Sequence, residues 1–202
     1  MEYPSDGKCS CCGAALPQML HETCMCNFCK TEYTRPTTSR ASESTGNDAG
    51  KAVSLCEQSD LAYAGNRMAE AVNYLEEALK YDRGNYNIWN KLGRAYRQIG
   101  NLDRARECYR KALDISPDSI DVIANIGVLE IACNNYQLAY EYCKRAYEAG
   151  NAMSPDYALY AANYAFCIAK LGNKKEALKM SKIARKRGYV NYTKLKRMIK
   201  QS

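Results

Sequence analysis

The stretch YNIWNKLGRAYRQIGNLDRARECYRKALDISPD, residues 86–118, constrains the chain most, because its small and aromatic residues return elsewhere at a fixed interval. Trp89, Leu92, Gly93 and Tyr96 fall at i, i+3, i+4 and i+7, so they share one face of a helix, and Gly93 leaves room for a neighbour to approach. Ile99-Gly100-Asn101 supplies a residue that accepts a left-handed C-cap and ends that helix. Ala105, Tyr109 and Ala112 then mark the buried face of a second helix. It stops before Ser116-Pro117-Asp118, where Ser116 is expected to cap the next helix and Pro117 to occupy its first position.

A shift of 34 residues forward recovers Ile123, Ile126, Gly127, Ala139, Cys143 and Ala146; a shift backward recovers Leu55, Ala71, Leu75 and Ala78. A fourth unit, displaced by four extra residues near 153–156, reads Ala161, Tyr164, Ala165, Ile168, Gly172, Ala177 and Ala184. No one helix pair of this kind buries its apolar face alone, so the units must stack and the ends must be covered. This pattern resembles the tetratricopeptide repeat (TPR), most completely over 86–119. The resemblance implies an all-α solenoid of helical hairpins, about four repeats at 52–85, 86–119, 120–153 and 158–189 within 51–189, with the first helix of each pair lining a concave groove. Residues 190–202, with Leu195, Met198 and Ile199 at helical spacing and basic residues between them, are expected to form a capping helix. Trp89, the tyrosines, Cys108, Cys133, Cys143 and Cys167 are read as core rather than chemistry, because a buried free Cys behaves as a small hydrophobe.

The resemblance also implies which residues face the groove: the second, fifth, ninth, twelfth and thirteenth places of each repeat. The second repeat there presents Asn87, Asn90, Arg94, Arg97 and Gln98; the third Asp121, Ala124, Val128, Ile131 and Ala132; the fourth Leu159, Ala162, Phe166, Ala169 and Lys170. The lining grades from cationic to apolar, which suits an extended peptide with an acidic and a hydrophobic part. Asn125 and Asn163 match the sixth-place asparagine with which some relatives hold a peptide backbone, whereas Glu57 and Lys91 do not. The carboxylate clamp of chaperone-binding relatives is rejected, since its places read Cys56, Asp60, Lys91, Asp121 and Asn125.

Residues 8–30 hold six of the eleven cysteines and the only histidine, His21. Cys9-x-x-Cys12-Gly13 and Cys26-x-x-Cys29 are metal-ligand turns, and four thiolates make a closed tetrahedral zinc site. Residues 1–34 thus resemble a small zinc ribbon holding one structural Zn2+. Cys11, Cys24 and His21 are surplus, and Cys24-x-Cys26 leaves open a register in which Cys24 replaces Cys26. A redox C-x-x-C would need a βαβ context, a Cys-His nucleophile a scaffold for its base, and HETCM lacks the second His of a metalloprotease helix. Residues 35–50, RPTTSRASESTGNDAG, carry no large apolar side chain and are expected to be a flexible linker.

The chain begins MEYPSDGKCS, without the basic and apolar pattern of a secretory signal, and no run of 18 apolar residues occurs; a soluble, cytoplasmic protein without a membrane span is expected. Formal charge is +7, but residues 170–202 carry twelve Lys/Arg against one acid. Lys182, Arg185, Lys186 and Arg187 are therefore an alternative site for an anionic partner. The sequence favours a non-enzymatic scaffold that binds a partner protein or peptide in the groove. A nucleic-acid- or ribosome-associated regulator using the basic tail and the ribbon is the alternative.

Overall fold

The computed structural model describes residues 23–25, 32–34, 46–154 and 156–202 and divides into two units. In the N-terminal unit β1 (Thr23–Met25) and β2 (Glu32–Thr34) pair antiparallel, with Thr23 opposite Thr34 and Met25 opposite Glu32. Cys9, Cys12 and Cys29, and Cys26 just past β1, lie outside the described residues, as does 35–45 of the expected linker.

The second unit is entirely helical where described. Its elements are α1 (Gly46–Ala64), α2 (Met68–Tyr81), α3 (Tyr86–Gln98), α4 (Leu102–Ile115), α5 (Ile120–Ala132), α6 (Tyr136–Ala149), α7 (Tyr157–Lys170), α8 (Lys174–Lys186) and α9 (Tyr192–Gln201). Each odd helix through α7 packs on the even helix after it, and successive first helices meet as α3 on α5 and α5 on α7. That arrangement is a solenoid of antiparallel hairpins.

The hairpin turns carry the repeat in their backbone. Asn66, Gly100, Asn134 and Gly172 all have positive φ, at 59°, 82°, 60° and 92°. In each case the following N–H returns to a carbonyl five residues back, as Asn101 to Tyr96 at 2.9 Å and Asn135 to Glu130 at 2.9 Å. This is the Schellman closure, and asparagine serves where glycine is absent because it tolerates the left-handed region.

Two local expectations are corrected. Helix α1 begins at Gly46, so residues 46–50 are helix rather than linker, with Asp48 in the first turn where a carboxylate suits the helix dipole. Pro117 is not the first residue of the next helix: α5 starts at Ile120 after Ser119. The Ser119 N–H instead reaches the Ser116 carbonyl at 3.2 Å, a β-turn in which proline takes its favoured second place.

Inside each hairpin the small residue of the first helix meets the second helix. A Cβ on Gly93 would come within 2.6 Å of the Tyr109 ring, and one on Gly127 within 2.6 Å of the Cys143 sulfur. Between repeats, the buried Glu130 carboxylate accepts from Arg106 at 3.0 Å and from Asn135 at 2.8 Å. Both of its oxygens are thus satisfied, as a buried charge requires. At the C-terminus α9 lies against α7 and α8, burying Leu195 and Ile199 with Ala165, Ile168 and Ala169.

Candidate functional site

The first helices α3, α5 and α7 line a cavity of about 400 Å³. It gathers Asn90, Arg94, Arg97, Asn125 and Asn163 on one concave surface. Asn87 is not with them; it lines a neighbouring cavity with Cys56, Asp60 and Lys91, on the side of α1. There Lys91 is paired with Asp60 at 2.6 Å, so two of the places that would form a carboxylate clamp satisfy each other.

The fifth-place Asn90 is 7% exposed, and its side-chain oxygen accepts from the Asn125 amide at 2.9 Å. The two amides form one rigid polar unit across α3 and α5. The pair keeps the Asn90 NH2 and the Asn125 oxygen for other partners, one donor group and one acceptor. The sequence points to both residues but not to their pairing, which joins a fifth place to a sixth place one repeat later.

Next to this pair is a cationic corner. The Arg94 guanidinium stacks over Tyr63 at 5.0 Å from the ring centre. Among the described residues neither Arg94 nor Arg97 has a carboxylate within ion-pairing distance. Tyr109 of α4 reaches this corner by passing its ring under Gly93, where no Cβ intervenes. Burial pushes its phenol up to about 12 against the opposing pull of the nearby Arg97 and Arg94, so it remains a donor at neutral pH. The Tyr109 hydroxyl is buried beside the Arg97 guanidinium, and neither it nor the buried Arg97 Nε makes a well-aligned hydrogen bond among the described residues. Tyr109 was legible as core; its polar end was not.

The opposite lip is acidic. Asp121, near the start of α5, accepts a hydrogen bond from the Tyr160 hydroxyl at 2.5 Å, and Asp156 precedes α7. Burial, helped by Asp121, raises the Tyr160 phenol. Farther along, a second cavity of about 270 Å³ is walled by Val128, Ile131, Ala162, Phe166, Leu195 and Met198, and shares Val128 and Asn163 with the first. Helix α9, expected only to cap the solenoid, is therefore also a wall of the groove. Leu195 and Ile199 face the core while Met198 is half-buried at the cavity.

Lys182, Arg185, Lys186 and Arg187 are all exposed, on α8 and its end. Arg185 stacks on Tyr192 at 5.2 Å and Arg187 on Tyr157 at 5.8 Å, so half of that patch rests on aromatic rings of the fold. Four of the described cysteines behave as packing. Cys108, Cys143 and Cys167 are buried, with the latter two sulfurs 3.8 Å apart, and Cys133 is half-buried against Arg106. Burial pushes the Cys108 thiol up to about 12, and the Cys167 contact with burial raises Cys143, the reverse of an activated nucleophile. Among the described residues no helix is long and apolar enough to cross a membrane.

Residues 56–120 match the family model described as tetratricopeptide repeat. The chain is 27% identical over 122 residues to mouse superkiller complex protein 3, covering 56% of this chain and 8% of that protein. It is 30% identical over 93 residues to bovine BBSome complex member BBS4, covering 46% of this chain and 17% of that protein. It is 26% identical over 137 residues to human aspartyl/asparaginyl beta-hydroxylase, covering 68% of this chain and 18% of that protein. The curated relatives are thus much longer than the part that this chain spans. Among solved structures, a Pseudomonas aeruginosa pilF structure superposes with TM-score 0.65 at 15% identity, covering 77% of this chain and 74% of the other. YrrB, described as a TPR protein with an unusual peptide-binding site, superposes with TM-score 0.57 at 17% identity, covering 77% and 79%. These likenesses give the fold.

Proposed function

With residues 56–120 as tetratricopeptide repeat and the helical unit as a solenoid of that fold, we propose that the chain is a non-catalytic interaction scaffold that binds an extended segment of a partner protein in its concave groove. The observation that carries this reading is the convergence of Asn90, Arg94, Arg97, Asn125 and Asn163 on one cavity formed by three successive first helices. Amide and guanidinium groups at that spacing match the carbonyls and carboxylates of an extended chain. The peptide-binding site attributed to YrrB and the complexes named for superkiller complex protein 3 and BBS4 agree in kind with such a role.

Affinity capture of partners from the source cell, quantified for two charge-reversed variants, tests this. Arg94→Glu with Arg97→Glu is expected to remove most captured partners. Reversal of Lys182, Arg185, Lys186 and Arg187 is expected to leave them in place. The opposite outcome, with the tail variant also losing retention on nucleic acid, would move the function to the basic tail.

The N-terminal unit is proposed to be held by one structural zinc through Cys9, Cys12, Cys26 and Cys29. The spacing of the two cysteine pairs supports it, as does the antiparallel pair β1–β2, whose connecting residues 26–31 include Cys26 and Cys29. Elemental analysis of the full chain is expected to give one zinc per chain. A strong chelator is expected to remove that zinc while the helical circular-dichroism signal of residues 46–202 persists. Two zinc ions per chain, or iron, would refute this ligand set.

A further inference from the structure

We infer that the groove reads two anchors on one extended partner segment, an acidic side chain at Arg94 and Arg97 and an apolar side chain at Phe166 and Met198, about five or six residues apart. The inference rests on the groove reading and adds the partner's chemistry and its spacing.

The acidic anchor follows from unmet donors. Arg94 and Arg97 have no carboxylate within ion-pairing distance among the described residues, and the buried Arg97 Nε makes no well-aligned hydrogen bond there. Tyr109 is 0% exposed, and its hydroxyl lies beside the Arg97 guanidinium, which it helps to hold at this corner. A guanidinium without an anionic partner is a ready donor to a carboxylate, to which it can give two parallel hydrogen bonds. The Asp121 and Asp156 carboxylates on the other lip set direction, because they repel an acid displaced toward the N-terminal ends of α5 and α7.

The apolar anchor follows from α9. That helix closes the far end of the groove and turns the Val128–Phe166 row into a cavity of about 270 Å³ with Met198 and Leu195 on its wall. Methionine is an adaptable lining for an inserted apolar side chain. Arg94, Val128 and Phe166 stand at the same place of successive repeats, as do Arg97 and Ile131. The two anchors are therefore separated by the steps α3 to α5 and α5 to α7. Two such steps span about 16–20 Å. An extended chain crosses that distance in about five or six residues at about 3.3 Å each.

The test uses the full chain and fluorescein-labelled synthetic peptides of Gly, Ser and Asn that carry one Glu and one Leu two, four, six, eight or ten residues apart, read by fluorescence anisotropy at low salt. Binding is expected to be tightest near a spacing of six. Changing the peptide Glu to Gln is expected to weaken it about tenfold or more, as is Arg94→Gln with Arg97→Gln in the protein. Combining the peptide change with the protein change is expected to add little further loss. The Glu-to-Gln peptide leaves the protein untouched, so this arm holds even if a protein variant unfolds. Peptides that bind equally at every spacing and with Gln as well as Glu would overturn the two-anchor inference while leaving groove binding intact. If no peptide binds and the captured partners are also indifferent to Arg94→Glu with Arg97→Glu, the inference fails together with the groove reading.

Discussion

Leu195→Ala combined with Ile199→Ala will lower the stability of the helical unit by roughly 3–6 kcal/mol, measured by urea unfolding followed by circular dichroism. Both side chains are at or below 5% exposure, in a cluster with Ala165, Ile168, Ala169, Ala177 and Ala184. Most of the other fully buried members of that cluster are alanines, which cannot expand to fill the space left behind, so much of the cavity term stays. In a solenoid each unit is held by its neighbours, so the loss is expected to start at the C-terminal end. Hydrogen exchange should show α7 and α8 deprotected before α3 and α4. A loss below about 1 kcal/mol would mean that α9 merely rests on the unit. The consequence for function is direct, since the same helix supplies Met198 to the groove.

The second large effect is expected at Gly93. Its Cβ would sit 2.6, 2.7 and 3.0 Å from three ring atoms of Tyr109, a residue without exposure and so without room to withdraw. Gly93→Ala is therefore expected to cost about 1–3 kcal/mol, in spite of the gain of about 1 kcal/mol that alanine brings to a helix interior. It should also weaken binding of an acidic peptide, because the displaced ring carries the hydroxyl beside Arg97. Tyr109→Phe separates the two effects. It removes only the hydroxyl beside Arg97 and leaves the packing of the ring in place, so stability should change little while the acidic anchor weakens as Arg97 loses its support. If Gly93→Ala raises the unfolding midpoint, the close approach of α3 and α4 is not what the geometry describes.

What was readable in the sequence was the local part of the fold. The small residues at Gly93, Gly127 and Ala165, the turn glycines at 100 and 172 and the four-residue displacement before the last hairpin all act within one or two helices, where spacing alone carries the information. Asn66 and Asn134 hold the same left-handed turn as Gly100, a substitution that only backbone chemistry makes equivalent. The start of α1 at Gly46 was not readable, since a polar run without large apolar residues has no face to give a period. Nor was the loop position of Pro117, because proline suits both a first helical turn and the second place of a β-turn.

The site was readable in its list of groove residues and not in their couplings. Asn90 and Asn125 are 35 positions apart, and their hydrogen bond depends on how two first helices meet. Tyr109 belongs to a second helix and comes to lie beside Arg97 of the groove because its ring packs against Gly93. The contribution of Met198 depends on α9 folding back onto α7, which no local pattern encodes. Glu130 stands 34 residues after Tyr96, and its partner Arg106 lies on the preceding hairpin. In each case the missing information is a contact between helices that local spacing does not carry.

The central claim, that partners are held in the concave groove, is tested most directly by a photo-crosslinking residue placed at Asn163 of the groove and, in a separate protein, at Arg110 on the exposed side of α4. Both chains are irradiated with the captured partners present, and the adducts are identified by mass spectrometry. The account predicts adducts from position 163 that fall on extended acidic-apolar segments of the partner, and few or none from position 110. Adducts from position 110 with none from 163 would contradict it.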